Sequence, residues 1–250
     1  MKAISLRDIR KRFMAQPEKY LNLKKQRGMT LLEIIIVLGI IGTIAAGVVI
    51  LAQRAFDSKA ISDLVTNTNT VRTTIKETFG PSGIYPTTDD TGTLALTEST
   101  IKDPAQSAVP IATLVQLGKI STNEAKNNIS SNFFNIGSAS IGTTAASNRA
   151  YFVEVNGLDQ KQCRNILLQT GNQWDFVNIV VAGDGAGSYS VNSTTPPDLA
   201  AAATDPATVT AGSGGIVRSL AADGNYTLTP QNVINLCSDS AENGLVLGSR

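Results

Sequence analysis

The chemistry open to this chain is limited first by the residue types that it lacks. None of its 250 residues is a histidine, which excludes zinc–histidine sites and imidazole-dependent Ser-His-Asp or Cys-His catalysis. Two cysteines, Cys163 and Cys237, permit one disulfide bridge but no four-cysteine metal site. The carboxylates are scattered, and no pair stands out as a glycosidase site. We therefore expect no enzymatic activity, no cofactor and no metal ion.

Two short patterns resemble ligand sites but lack the context that such sites need. The glycine-rich run at 183–188 has no following lysine and no helix that would direct a dipole at a phosphate, so we expect a turn. Asp89, Asp90 and Asp103 do not have the spacing of an EF-hand loop.

The charges are divided unevenly along the chain. Residues 1–28 carry nine basic and two acidic residues, a net charge of +7; because the whole chain carries +1, the other 222 residues carry −6. With aromatic residues at only 5%, the overall composition argues against a nucleic-acid partner. The two parts are expected to perform different tasks.

The basic leader is followed by 20 uncharged residues, 34–53. As a helix this run rises about 30 Å, which matches the hydrocarbon core of a membrane. It is too long for the apolar region of a cleaved secretory signal. We predict a single membrane span with a cytoplasmic amino terminus and an extracytoplasmic remainder.

The junction KKQRGMTLLEIIIVLG resembles the prepilin cleavage and methylation motif of type IV pilins. The resemblance implies that a prepilin peptidase cuts after Gly28 and that Met29 is then N-methylated. The long leader and the methionine at the new terminus are similar to the type IVb major pilins of enteric bacteria. The longus and CFA/III pilins are the nearest of these, and the toxin-coregulated pilin is more distant. The similarity is dense over residues 24–58 and thinner beyond.

Glu33 is the only charged residue among residues 28–53. Such a carboxylate costs about 2.5–3.5 kcal/mol within a membrane span, so it requires a partner. One interpretation is local, because Thr30-x-x-Glu33 fits a capping box. The other, favoured by the adjacent cleavage motif, is that Glu33 pairs with the Met29 ammonium of a neighbouring subunit during filament assembly.

Beyond the span, an apolar stripe at three-to-four spacing continues to Phe79, and Gly80-Pro81-Ser82-Gly83 should end the helix. The stripe consists of Phe56, Ile61, Leu64, Val65, Thr68, Val71, Ile75 and Phe79. We predict one helix over residues 30–79, with 29–53 as the transmembrane part or filament core and 54–79 amphipathic.

Residues 80–250 are predicted to form a globular head. Residues 84–106 are expected to be irregular, 109–117 a buried helix, and Ser121-x-x-Glu124 the start of another. A helix after Asp159 and one that opens at Thr229-Pro230 and runs into Cys237 are also expected, with strands at 151–155, 174–181, 216–220 and 245–247. The fold class is α+β, with the helical spine packed against an antiparallel sheet, as the pilin resemblance also implies.

The state of the two cysteines is open on residue type alone. Both fall outside the membrane in the predicted topology, where disulfides persist, but two buried free thiols are the alternative. The resemblance implies that Cys163 pairs with Cys237 and bounds a carboxy-terminal region, 163–237.

The resemblance implies the major structural subunit of a pilus for bacterial aggregation and host adhesion. Its partners would be identical subunits, the prepilin peptidase, the inner membrane with the pilus assembly machinery, and a host-cell receptor. The subunit would reside in the inner membrane before assembly and in the extracellular pilus afterwards. The alternatives are a minor pilin or type II secretion pseudopilin, or a single-span membrane-anchored binding protein.

Overall fold

A computed structural model describes residues 30–142, 148–181, 188–210, 212–240 and 242–250. The chain divides into two units, Met1–Arg54 and Ala55–Arg250. The predicted leader, the Gly28–Met29 junction and most of the glycine-rich run at 183–188 lie outside the described residues.

The long helix, α1, runs over Leu31–Phe79, as the sequence predicted. The helix gives way to a 3₁₀ turn over Gly80–Ser82, and Gly83 closes it with a φ of 69°, a left-handed conformation that favours glycine. The sequence GPSG therefore stops the helix at the predicted place.

The second unit is built around a five-stranded sheet in the order β1-β2-β5-β3-β4, in which every neighbouring pair is antiparallel. The strands are β1 (Asn135–Ala139), β2 (Ala150–Leu158), β3 (Phe176–Val181), β4 (Gly215–Arg218) and β5 (Asn243–Ser249). The last strand in the chain thus occupies the centre of the sheet. This arrangement confirms the predicted α+β class with a non-sequential sheet.

Each face of the sheet carries its own apolar cluster. On the inner face, Val153 and Leu247 belong to the main core together with Leu64, Val71 and Ile75 of α1. On the outer face, a smaller cluster joins side chains of β2, β3 and β5 to two residues of a covering loop: Phe152, Phe176, Val246, Val191 and Leu199. Because side chains alternate along a strand, both sides of this sheet exclude water.

The described residues form four shorter helices besides α1: α2 (Asp90–Ala95), α3 (Pro110–Gln116), α4 (Gln160–Thr170) and α5 (Pro230–Val233). The helices predicted at 109–117 and after Asp159 are confirmed. The helix predicted to run from Thr229-Pro230 into Cys237 opens at the predicted place but ends at Val233. Asp159 and Gln162 form a reciprocal capping box at the start of α4, which explains why the sequence located this helix so closely.

Three further details of the sequence prediction are wrong. Residues 84–106 are not wholly irregular, because Asp89 accepts a hydrogen bond from the N–H of Gly92 and thereby starts α2. Ser121 and Glu124 make both bonds of a capping box, but the chain forms only turns there and no helix. Phe56, assigned to the buried stripe, is 71% exposed.

Candidate assembly site

Residues 34–51, in the first half of α1, carry no charge and are all exposed. The large apolar side chains in this half of the helix keep between 44% (Ile34) and 77% (Leu31) of their surface accessible. Within the described residues, α1 is the one helix long and apolar enough to cross a membrane. An apolar surface of this extent indicates a lipid environment or contact with other proteins.

Three glycines, Gly39, Gly42 and Gly47, lie within this apolar segment. A Cβ atom added to any of them would meet nothing within 4 Å, apart from the helix's own backbone. Glycine in a helix interior costs about 0.5–1 kcal/mol relative to alanine, and no contact of the described residues offsets that cost here. The glycines instead leave shallow places on the surface where another helix can approach closely.

Glu33 lies in the first turn of α1, and its side chain is exposed. Its backbone N–H donates to Thr30 Oγ1 at 3.2 Å, and the N–H of Ile34 donates to the Thr30 carbonyl at 3.2 Å. The Thr30 hydroxyl therefore caps the helix by accepting from the backbone of Glu33. The Glu33 carboxylate is exposed and is accessible to a partner. Gly28 and Met29, which the sequence analysis placed beside it, lie outside the described residues.

The carboxy-terminal region is tied by a disulfide between Cys163 on α4 and Cys237, which follows α5. The two Cα atoms are 6.2 Å apart across a sequence separation of 74 residues. Gln160 Nε2 donates to the Cys237 carbonyl at 3.2 Å, so a hydrogen bond accompanies the covalent link. The pairing is confirmed, and the alternative of two free thiols is wrong.

Arg72, on α1, contributes to the attachment of the amphipathic half of the helix to the sheet. Its guanidinium carbon lies 4.6 Å from the centre of the Trp174 ring, within the range of a cation–π interaction. Burial raises the pKa of the neighbouring Tyr151 hydroxyl to about 12, although Arg72 acts to lower it. Arg72 is not part of the predicted apolar stripe, but it directly follows Val71 of that stripe and therefore borders the core.

The aspartates considered as a calcium site have structural roles. Asp89 caps α2, and Asp103 accepts a hydrogen bond from the N–H of Ala105 at 2.9 Å at the start of a 3₁₀ turn. Among the residues that the structure describes, no group of three or more potential ligands could hold a metal ion.

Comparison with known proteins identifies two matching families. The family described as "Toxin-coregulated pilus subunit TcpA" matches residues 113–244, and the "Prokaryotic N-terminal methylation motif" matches residues 23–49. The methylation motif therefore covers the predicted cleavage junction and the start of the apolar segment.

Individual proteins similar to this chain are also described as toxin coregulated pilins. A toxin coregulated pilin of Vibrio cholerae is 35% identical over 227 residues, which cover 90% of each chain. A second, from Vibrio cholerae serotype O1, is 39% identical over 155 residues, 62% of each chain. The crystal structure of TcpA, a type IV pilin from the El Tor biotype, superposes with a TM-score of 0.59 at 24% identity, covering 77% of this chain and 99% of that one. This chain belongs to the toxin-coregulated pilin family, and it is a type IVb pilin.

Proposed function

We propose that this protein is the major structural subunit of a type IVb pilus. It is made as a membrane-anchored precursor, cleaved by a prepilin peptidase after Gly28, N-methylated at Met29, and polymerised through the apolar half of α1. The observation that carries the proposal is the exposed, uncharged helical surface after Glu33. It gives the subunit both a membrane anchor and a filament core.

Burial of apolar surface provides the driving force for polymerisation. In a membrane the side chains of residues 34–53 are solvated by lipid, but outside it they must be covered. Each square ångström removed from water contributes about 25 cal/mol, so association of several identical helices is strongly favoured once the helices leave the lipid. The open positions at Gly39, Gly42 and Gly47 allow such helices to pack closely.

Glu33 provides the axial register. A carboxylate among apolar helices is costly unless a positive charge accompanies it, and the methylated amine of Met29 on a neighbouring subunit supplies one. Only certain alignments of two helices bring these groups together, so a single ion pair selects the alignment.

The remaining partners follow from the life of such a subunit. Before assembly it resides in the bacterial inner membrane, where the peptidase and the pilus assembly machinery act on it. Afterwards it is part of an extracellular pilus that supports aggregation, adhesion and colonisation through a host-cell receptor. No observation favours a minor pilin or a secretion pseudopilin, and abundance in sheared surface filaments separates these from a major pilin.

The mature amino terminus is the most direct test. Filaments sheared from cells and analysed by intact-protein and peptide mass spectrometry should contain this chain as the main component, beginning at N-methylated Met29. A chain that retained its basic leader in those filaments would contradict the proposal.

A second test separates assembly from processing. Glu33→Val should leave membrane insertion and cleavage intact, because it removes only a charge that is costly in lipid, yet it should abolish filaments. The control is Glu77→Val, which removes an exposed carboxylate from the other half of α1 and should leave filaments normal. Filaments of normal abundance from cells expressing only Glu33→Val would refute the register role.

A further inference from the structure

Three tripeptides of the chain fit the pattern Asn-x-Ser/Thr, the acceptor signal for N-linked glycosylation: residues 128–130, 192–194 and 225–227. In this modification the asparagine amide nitrogen receives a sugar, and the hydroxyl two residues later contacts the transferase. The sequence pattern alone does not select among the three. The structure does, because a usable acceptor presents both side chains to an enzyme.

The first tripeptide has its hydroxyl engaged. Asn128 is exposed, but the Ser130 hydroxyl donates to Asn156 Oδ1 on β2 at 3.0 Å and accepts from the N–H of Asn132 at 3.3 Å. Ser130 is also packed against Gly157, where an added Cβ atom would lie 2.7 Å from the Ser130 Cβ atom. The residue whose hydroxyl a transferase would contact therefore holds this loop against β2.

The second tripeptide is closed on itself. Asn192 Oδ1 accepts from the N–H and the hydroxyl of Thr194, at 3.0 and 2.7 Å. It also accepts from the N–H and the hydroxyl of Thr195, at 2.9 and 2.8 Å. The preceding residue, Val191, is buried in the apolar cluster on the outer face of the sheet. An enzyme would have to break this turn before it could bind the asparagine and the hydroxyl.

The third tripeptide, Asn225-Tyr226-Thr227, lies between β4 and α5, where residues 224–229 form neither helix nor strand. Asn225 and Thr227 are both exposed. Neither side chain makes a hydrogen bond to any residue that the structure describes. Of the three tripeptides, this one alone has both the amide and the hydroxyl available.

The backbone of this tripeptide is nevertheless held in place. Arg218, on β4, donates from Nη1 to the Tyr226 carbonyl and from Nε to the Trp174 carbonyl, both at 2.8 Å. The Leu228 N–H donates to Asn172 Oδ1 at 2.8 Å, and the Leu228 carbonyl accepts from Asn172 Nδ2 at 2.9 Å. These bonds fix the segment through its main chain, so the two exposed side chains stay free.

The charge beside the third asparagine also distinguishes it. Asp223, two residues before Asn225, is exposed, whereas Lys126 and Ser190 occupy the corresponding positions before the other two asparagines. A carboxylate at this place gives a basic side chain of a transferase a charged group to bind next to the acceptor.

We propose that Asn225 is an acceptor for an N-linked sugar and that the folded head admits transfer there ahead of the other two tripeptides. The co-substrate is a sugar activated at its anomeric carbon by a phosphate that is carried by a nucleotide or a lipid. The Asn225 amide nitrogen bonds to that carbon, and the bond from the carbon to the phosphate oxygen breaks. The phosphate leaves with the bonding electrons, and the amide proton passes to a base of the transferase.

Transfer to the purified full chain in detergent micelles tests the selection by the fold. The probe is uridine-diphosphate glucose with a soluble transferase that accepts Asn-x-Ser/Thr, and peptide mass spectrometry gives the rate at each asparagine. Each rate is divided by that of a synthetic peptide with the same tripeptide. The corrected rate at Asn225 should exceed those at Asn128 and Asn192 by about tenfold or more, because those sites require local opening. Equal corrected rates would overturn the proposal.

Variants of the third tripeptide provide the controls. Asn225→Gln and Thr227→Ala should each abolish the added mass of the sugar at this site, whereas Thr227→Ser, which keeps a hydroxyl, should retain it. Asn192→Gln should leave transfer to Asn225 unchanged. Transfer to this tripeptide that persists in Thr227→Ala would refute the role of the free hydroxyl.

Protein isolated from the membranes or filaments of its own bacterium tests whether the site is used. The peptide containing Asn225 should carry a sugar mass that is absent from Asn225→Gln. A sugar at Asn225 alone indicates a lipid-linked donor that acts on the folded head, and sugars at all three asparagines indicate a nucleotide-linked donor that acts before folding. Asn225 found unmodified throughout would overturn the proposal.

Discussion

Arg72 illustrates how one side chain can bind a helix to a sheet without an ion pair. The guanidinium lies over Trp174 and beside the Tyr151 hydroxyl, in a half-buried position where water screens the cation only in part. Lys76, one turn later on α1, is exposed and its Nζ lies 5.9 Å from the Tyr151 ring. The two cations therefore differ in burial and in distance from the ring, as well as in chemistry.

Replacing each cation with methionine compares their contributions. Arg72→Met keeps an apolar stem but loses the cation–π contact, and it should lower the free energy of unfolding by about 1–2 kcal/mol. Lys76→Met should cost about 0.5 kcal/mol or less, because an exposed contact of this kind is weak. Urea unfolding followed by Trp174 fluorescence measures both, and equal losses would contradict the difference in burial.

Strand β1 shows how an element can depend on a close approach of another segment. All five of its residues are buried. A Cβ atom on Gly137 would lie 2.6 Å from Thr88 Cβ and 2.7 Å from the Thr88 backbone nitrogen. The N–H of Ser138 donates to the Pro86 carbonyl at 2.8 Å, so the segment before α2 covers this edge of the sheet.

Gly137→Ala should therefore force the two segments apart. We expect a loss of about 1–3 kcal/mol, the usual range for overpacking, and a corresponding fall in the thermal unfolding midpoint. Gly80→Ala is the matched control, since a Cβ atom there meets nothing within 4 Å, and it should be close to neutral. A neutral Gly137→Ala would show that the edge segment is not fixed against β1.

At the scale of the whole molecule, the disulfide restricts the unfolded chain more than any other single bond. It closes a loop with a sequence separation of 74 residues, which contributes roughly 4 kcal/mol in the chain-entropy treatment. The region that it bounds includes β3 and β4. Reduction should therefore destabilise the head as a unit.

The double variant Cys163→Ala/Cys237→Ala should lose about 4 kcal/mol in urea unfolding of the intact chain in detergent. The wild-type protein unfolded with a thiol reductant should show the same loss, which separates the covalent link from the effect of the substitutions. A loss below about 1 kcal/mol in both experiments would contradict this account.

The sequence predicted elements whose signals are local. The apolar run and GPSG determine α1, the Asp159 capping box determines the start of α4, and the strands near 151–155, 174–181 and 245–247 follow from apolar side chains. Strand β1 was missed because Asn-Ile-Gly-Ser-Ala contains a single β-forming residue, Ile136, and is buried through contacts made far along the chain.

The candidate assembly site was also predictable from the sequence where its signal is local. Glu33 stands out as a lone charge, and its surroundings are set by adjacent residues. By contrast, the buried carboxylate of Glu154, on β2, accepts hydrogen bonds from Asn135, Ser190 and Val191, which lie 19, 36 and 37 positions away, and no local pattern signals these contacts. The order of the strands in the sheet could not be predicted from local patterns either, because it depends on which strand, distant in sequence, takes the central position.

The central position of β5 determines the order in which the head can mature. Synthesis produces β1 and β2 first, then β3 and β4, and these two pairs cannot be bridged until β5 has been made. Until then the inner edges of β2 and β3 lack their native partner, and the incomplete polypeptide is vulnerable to aggregation. When the seven residues of β5 pair with both β2 and β3, the two separate strand pairs become one continuous sheet.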